Sequence, residues 1–555
     1  IMGFLVSPGV DVNEIDLTNV IPAVSTSIGG IVGQFRWGTV DENVTVGSEK
    51  DLATLYGKPT TSIYQHFFMA AGFLQYGNNL KVRRVVNTDA LNATSSHTDS
   101  DTDSPVSGVA IRILNEDSYD AQKSTLLGGD SPGQFGSFFA KYPGALGNAL
   151  KVHVLDSDML SNNSPADTVE FSTEFDTVPG TNEIHIVVED DTGAISGTAG
   201  TVLEKFSFLS IVSGAKLADG SNNYYHDVIN ERSSWIWCGE ELATATKEVF
   251  TLRGGSDGTQ VTDGQIVAGF QDGFGDSESV EVNLMIGGGH NIVNANALIS
   301  VATARKDAVM FVGPAVSETA NILSSATQFA NVRTFADGIA TSSYGVLDST
   351  ALYVYDKYND TFQYVPAAGQ VAGLCANTDN VAEAWFSPAG FNRGTLRNVA
   401  KIAFNPVQAQ RDELYKRRVN PIVSFPGLGI TLFGDKTALS KPSAFDRINV
   451  RRLFITLEKA IATAAKFQLF ELNDEFTRAQ FRNAVEPFLR DVKGRRGITD
   501  FLVVCDETNN TGEVIDGNRF VADIFIKPAR SINFITLNFI ATRTGVEFSE
   551  IVGTN

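Results

Sequence analysis

The run GITLFGDKT from Gly429 to Thr437 has the outline of a loop that wraps a nucleotide phosphate. That chemistry needs a flexible glycine-rich turn with lysine directly after its last glycine. Asp435 occupies that step, and Ile430, Thr431, Leu432 and Phe433 are strand formers, so the run reads as a strand rather than a cradle. Gly287, Gly288, Gly289 and His290 follow a strand-like stretch and offer backbone amides to an anion. They read instead as a tight turn ahead of a helix. Asp99, Asp101 and Asp103 open like a calcium loop, but Ser104 and Ala110 stand where glycine and glutamate are required. Glu189, Asp190 and Asp191 would suit a metal or acid–base pair. With no histidine or spaced second carboxylate beside them in the sequence, they read as a solvated turn. Met2, Gly3 and Ser7 match an acylation pattern, yet Ile1 precedes them and the stretch reads as an extended arm. Cys238, Cys375 and Cys505 are scattered, no two of the six histidines stand four apart, and neither a nucleophile elbow nor a zinc-helix motif occurs. The expectation is a protein with no catalytic residues, cofactor or metal.

Bulk properties narrow the classes further. A chain of 555 residues exceeds one hydrophobic core and predicts roughly two to four domains. Fifty glycines against 17 prolines favour many turns and a β-rich build. No apolar run reaches the roughly 18 residues of a membrane span, so no membrane insertion is expected. Asp11, Glu14 and Asp16 come early without a basic segment, so the start does not read as a secretory leader. Scattered thiols suit a reducing cytoplasm. A net charge of −21 argues against a protein that tracks nucleic-acid phosphates. The charge is uneven: Arg393 to Asp500 carries 20 Lys/Arg against 11 Asp/Glu, and Asp89 to Leu242 carries 7 against 24. Different faces are therefore expected to meet different surroundings.

The elements that hold these residues follow from periodicity. Residues 1–21 form an arm, with Val10 and Val12 alternating against Asp11 and Asn13 after a Pro8-Gly9 turn. A first core segment, 22–86, reads as a buried strand from Ser27 to Val40, a helix from Tyr64 to Tyr76 and a strand from Leu80 to Val86. Residues 87–249 read as an acidic, β-rich insertion with short strands at Lys151–Leu155 and Glu183–Val188. Segment 250–380 resumes the alternation: strand Val280–Ile286, helix Ala295–Arg305, strand Ala308–Val312, then a hairpin over Asn359, Asp360 and Thr361. Segment 381–510 holds a helix from Arg451 to Phe470 capped by Asn449, then a second begun by Asp474. Phe481, Val485, Phe488, Leu489 and Val492 of that second helix point inward, and Pro487 is expected to kink or split it. A strand from Ile498 to Cys505 follows, then a turn at Asn509–Gly512. The fold class is a multidomain α/β (α+β) protein: a core of mixed sheets and helices, an inserted β-rich outer domain, and extended N- and C-terminal strand arms.

The last segment, 511–555, is a ladder of strand formers. Phe520, Val521, Ile524, Phe525 and Ile526 come first, then Ile532, Phe534, Ile535, Leu537, Phe539 and Ile540, then Val546 and Phe548. Unpaired strand edges are normally covered or blunted. A ladder this long either tucks into its own sheet or is lent to another copy, and head-to-tail lending builds fibres and tubes. Assembly is therefore the expected function, with Val10, Val12, Ile535, Leu537, Phe539, Val546 and Phe548 as arm residues. Two other classes stay open: a secreted surface-layer or adhesin-like assembly protein, and a nucleotide-binding enzyme.

Several segments resemble the tail sheath proteins of contractile-tailed bacteriophages. They are RVNPIVSFPGLGITLFG from Arg418 to Gly434, NVRRLF from Asn449, FELNDE from Phe470 and NFIATRTGVEF from Asn538 to Phe548. Pro8-Gly9-Val10, Thr26-Ser27, Val32-Gly33, the Leu80–Val86 strand and RGGSDG from Arg253 are similar too, whereas the acidic insertion is not. The resemblance implies a virion-tail protein assembled in the host cytoplasm. It would self-associate as stacked hexameric rings around a tail tube protein, with baseplate and tail terminator proteins as further partners. It also implies that N- and C-terminal arms join neighbours' sheets, and that a C-terminal-domain helix faces the tube. Carried to the Asp474–Lys493 helix, this makes Glu475, Arg478, Arg482 and Lys493 the expected exposed, tube-facing charges.

Overall fold

The computed structural model of the chain describes residues 25–95, 110–127, 136–157, 171, 174–175, 177–533 and 536–537. Two compact units result, Ile1–Phe470 and Glu471–Asn555.

The first unit is organised by a seven-stranded sheet. Its strands run in the order Val419–Asn420, Gly345–Asp348, Val309–Val312, Leu284–Ile286, Gly29–Gly33, Leu80–Arg84, Asn43–Val46. All neighbours are parallel except the last pair. Parallel strands need crossovers, and helices supply them on both faces. Side chains alternate accordingly. Ile31, Val82, Ile286, Phe311 and Val346 face a cluster containing helices Gln65–Leu74 and Ala368–Val381. Val32, Met285, Met310 and Leu347 face helices Asp263–Phe274 and Ile292–Arg305. The segments expected as 22–86 and 250–380 thus build one sheet, and Val419–Asn420, from the segment expected as 381–510, extends it. The reason is that the insertion leaves the sheet and returns beside its point of departure. Its stems pair at Leu91 with Ser256 and at Thr94 with Arg253.

The insertion has its own core. A four-stranded antiparallel sheet runs Thr201–Ser210, Glu183–Asp190, Leu150–Leu155, Glu248–Thr251, and Phe138–Ala140 pairs with Ile236–Cys238. Arg84 ties it to the main sheet. Fully buried, its guanidinium donates to the carbonyls of Phe35 (2.9 Å), Gly38 (2.7 Å), Pro143 (2.6 Å) and Arg36 (3.4 Å).

Towards the end of this unit, Ala351–Asp356 pairs with Thr361–Pro366 and Val399–Ile402, and Ile422–Phe425 pairs with Gly429–Leu432. Helix Ile448–Ala465 starts earlier than expected. Asn449 does not cap it: Asn449 is buried inside the helix, with Nδ2 donating to Trp385 O at 3.3 Å.

In the second unit, Asp474 does cap its helix, Glu475–Gly494, by accepting from Thr477 N at 2.8 Å. The helix runs unbroken through Pro487. Strand Ile498–Val504 pairs antiparallel with Asp523–Pro528, after a short helix, Gly512–Asp516, that periodicity did not reveal. The first half of the apolar ladder therefore closes within its own chain.

Candidate assembly surfaces

The glycine-rich runs that outline phosphate sites are built as packing. Gly429–Leu432 is a hairpin strand. Asp435, 2% exposed, accepts from Arg447 Nη1 at 2.9 Å and Ser387 Oγ at 3.1 Å, while Lys436 Nζ donates to Tyr415 O at 2.8 Å. The lysine that would meet a phosphate is committed to a carbonyl. Gly287 to His290 turn into the helix, as expected. A Cβ on Gly288 would stand 2.6 Å from Ala368 Cβ, and one on Gly289 2.6 Å from Pro366 Cγ. Open parallel sheets bind ligands in the crevice beyond their strand ends; here Pro366 and Ala368 press into the loop after Leu284–Ile286.

His290 Nδ1 lies 3.0 Å from Asp263 Oδ1 and holds that carboxyl below its usual range. Asp263 in turn accepts from Asn291 and Asn294, so the pair secures two helix starts.

The acidic triplet of the insertion is not a solvated turn. Glu189 Oε2 is 2.5 Å from His153 Nε2, both buried, and Asp190 Oδ2 accepts from Ile195 N, Ser196 N and Ser196 Oγ. Asp191 pairs with Lys151. The histidine was missed because it stands 36 residues away and is delivered by strand pairing. A cleft of about 490 Å³ carries Lys141, whose amine sits 3.3 Å from the Trp237 ring centre. Burial pushes that amine down to about 8. Among the described residues, no group of three ligating side chains is placed to hold a metal ion, and no helix is long and apolar enough to cross a membrane.

Exposed apolar and charged surfaces lie elsewhere. In the first unit Tyr355 and Phe362 are exposed, their ring centres 5.2 Å apart, and Lys401 Nζ is 4.4 Å from the Tyr353 ring. In the second unit the helix packs its Phe481, Val485, Leu489 and Val492 stripe inward, with Phe481 edge-on to Phe520 at 5.4 Å. Leu502 faces Phe525 across the hairpin, and each is 58% exposed. Among the described residues the sheet has two strands, so both outer edges are unpaired. Ile532 and Leu537 beyond it are exposed at 82% and 72%. Of the other arm residues, Val10, Val12, Ile535, Phe539, Val546 and Phe548 lie outside the described residues.

Three of the four expected tube-facing charges keep some exposure: Glu475 and Lys493 are exposed and Arg482 is half-buried. Arg478 is corrected. It is 6% exposed, with Nη1 donating to Asn473 O at 3.2 Å and Asn473 Oδ1 at 2.9 Å. Its position on the inward stripe, three residues before Phe481 and seven before Val485, was a signal in the sequence.

The fold is multidomain α/β, and among its described residues the second unit sets a helix on a two-stranded sheet. Sequence profiles agree: the phage tail sheath protein central domain matches residues 260–438, and the phage tail sheath C-terminal domain matches residues 440–542. The tail sheath protein of Enterobacteria phage T4 is 33% identical, covering 99% of this chain and 99% of its own length. That of Vibrio phage KVP40 is 32% identical over 99% and 100%. The chain belongs to the phage tail sheath protein family and is a structural protein of the phage tail. The crystal structure of a sheath tail protein from Desulfitobacterium hafniense shares the fold, with a TM-score of 0.53 at 13% identity over 90% of this chain and 94% of that one. The anti-feeding prophage helical sheath in its contracted state gives 0.51 at 13%, over 97% and 100%.

Proposed function

We propose that the chain polymerises as stacked hexameric rings around a tail tube and contracts from a metastable extended lattice to drive the tube through a host envelope. The carrying observation is the hairpin Ile498–Val504/Asp523–Pro528, whose two outer edges are free among the described residues and which leads into exposed Ile532 and Leu537. A free edge is a row of amides and carbonyls shaped to accept another strand. In this reading the arm residues Val10, Val12, Ile535, Leu537, Phe539, Val546 and Phe548 supply strands to other copies. Each added backbone hydrogen bond contributes about 0.5–1.5 kcal/mol net, and repetition along the tube makes the lattice hard to break. A kinetic barrier then holds the extended state until the baseplate rearranges.

Glu475, Arg482 and Lys493 are the proposed tube-facing charges; Arg478 is withdrawn from that set. The baseplate and the tail terminator are the proposed partners at the two ends of the sheath, and assembly takes place in the host cytoplasm. The acidic insertion lies outermost, where like-charge repulsion keeps virions apart. The test is truncation after Arg530. Loss of polymer with unchanged thermal unfolding of the remaining chain is expected; intact polymerisation would refute the reading.

A further inference from the structure

The chain enters the described fold at Ser25, and Thr26 is gripped there by two buried charges. Thr26 Oγ1 donates to Asp379 Oδ2 at 2.7 Å, and Arg452 Nη2 donates to the Thr26 carbonyl at 3.2 Å. Arg452 also binds both Asp379 oxygens, at 2.6 and 2.8 Å, and its Nη1 donates to Cys375 O at 3.3 Å. The Arg452 and Asp379 side chains are 4% and 8% exposed. Asp379 stands in the last turn of helix Ala368–Val381, and Arg452 near the start of helix Ile448–Ala465. Two residues beyond Thr26, the Ile28 carbonyl accepts from Asn283 N and Leu284 N, and Gly29–Gly33 is then paired on both sides. Residues 1–24 are thus continuous with a central strand of the main sheet, through a single gripped residue.

A buried ion pair adds little stability over an apolar pair of the same shape. What it adds is direction, because a guanidinium fork fixes its partners in one plane. Here the fork and its carboxylate together hold the carbonyl and the hydroxyl of one residue, and they join two helices in doing so. We propose that Arg452 and Asp379 are positioning residues that set where and in what direction the N-terminal arm leaves the body. Tension along the arm then passes into two helices instead of peeling Gly29–Gly33 from its neighbours. This rests on the reading that the arm is donated to another copy.

The test uses the full chain, with polymer measured against concentration by sedimentation and microscopy, beside thermal unfolding of the unassembled protein. Thr26→Val keeps the ion pair and removes one charge-assisted hydrogen bond. It should raise the concentration for half-polymerisation roughly tenfold while moving the unfolding midpoint by less than about 2 °C. Thr26→Ser should restore polymerisation, which a purely structural role would not require. Asp379→Asn should impair polymerisation further and also lower the midpoint. Deletion of residues 1–24 is the comparator. If the deletion abolishes polymer while Thr26→Val polymerises like the parent, the clamp is overturned and arm donation stands. If the deletion itself polymerises normally, arm donation fails and the clamp falls with it.

Discussion

Two of the sheets, the seven-stranded one of the first unit and the hairpin of the second, treat their edges in opposite ways. The seven-stranded sheet of the first unit ends on four-residue Asn43–Val46 at one side and two-residue Val419–Asn420 at the other, with helices on both faces. The hairpin of the second unit has strands of seven and six residues, a helix against one face, and the Leu502–Phe525 pair facing out. Short edge strands discourage pairing with another chain, and long exposed ones invite it. The contrast separates two tasks. The seven-stranded sheet offers little edge to another strand, and among the described residues the hairpin leaves both outer edges open to one. Changes in the packing of the seven-stranded sheet should therefore cost folding, and changes at the hairpin's edges should cost polymer.

Arg84 offers the largest effect. Arg84→Met strands four carbonyls, three of them in buried bonds, at the junction of sheet and insertion and should cost about 3–5 kcal/mol. Urea unfolding measures this directly; a loss below about 1 kcal/mol would show that water replaces the guanidinium at this junction.

Asp348 sharpens the same point through pH. It is 3% exposed, Oδ2 lacks a hydrogen-bond partner among the described residues, and burial raises its pKa to about 8. The unfolded chain ionises this group near its ordinary value of 3.8, so between there and about 8 the folded chain holds more protons. Its contribution to stability is fully present below that range and is lost as pH rises through about 8. Asp348→Asn should flatten stability against pH across this window, with the greatest relative gain at the alkaline end. An unchanged slope in equilibrium unfolding would mean that Asp348 ionises freely.

How much of this was legible depended on whether the deciding contact was local. Val309–Val312 is legible because a strand buried on both faces is apolar throughout, and Leu80–Arg84 because Leu80 and Val82 alternate with Lys81 and Arg83. The helix carrying Phe481, Val485, Leu489 and Val492 was found because its stripe repeats every three or four residues. The same stripe includes Arg478, but a charged side chain was read as surface by type, against its spacing. The His153–Glu189 pair and the Thr26–Asp379–Arg452 grip were not legible, since pairing over 36, 353 and 73 residues is set by topology. Nor did Asn449 announce its buried bond to Trp385; a capping residue type before an apolar run looks the same either way.

The smallest effect is expected at the proposed tube face. Arg482→Gln combined with Lys493→Gln should leave unfolding unchanged to within about 0.5 kcal/mol, since exposed ion pairs contribute about 0–1 kcal/mol. Sheath–tube association should weaken measurably in co-sedimentation with the tube. Association equal to the parent would remove these two residues from that face.

Amide hydrogen exchange decides whether the hairpin's outer edges are filled by strands from other copies. The measurement compares Ile498–Val504 and Asp523–Pro528 in the unassembled chain and in the polymer. Amides pointing away from the partner strand should exchange rapidly in the subunit and become strongly protected on assembly. Equal exchange in both states would contradict strand addition at this hairpin.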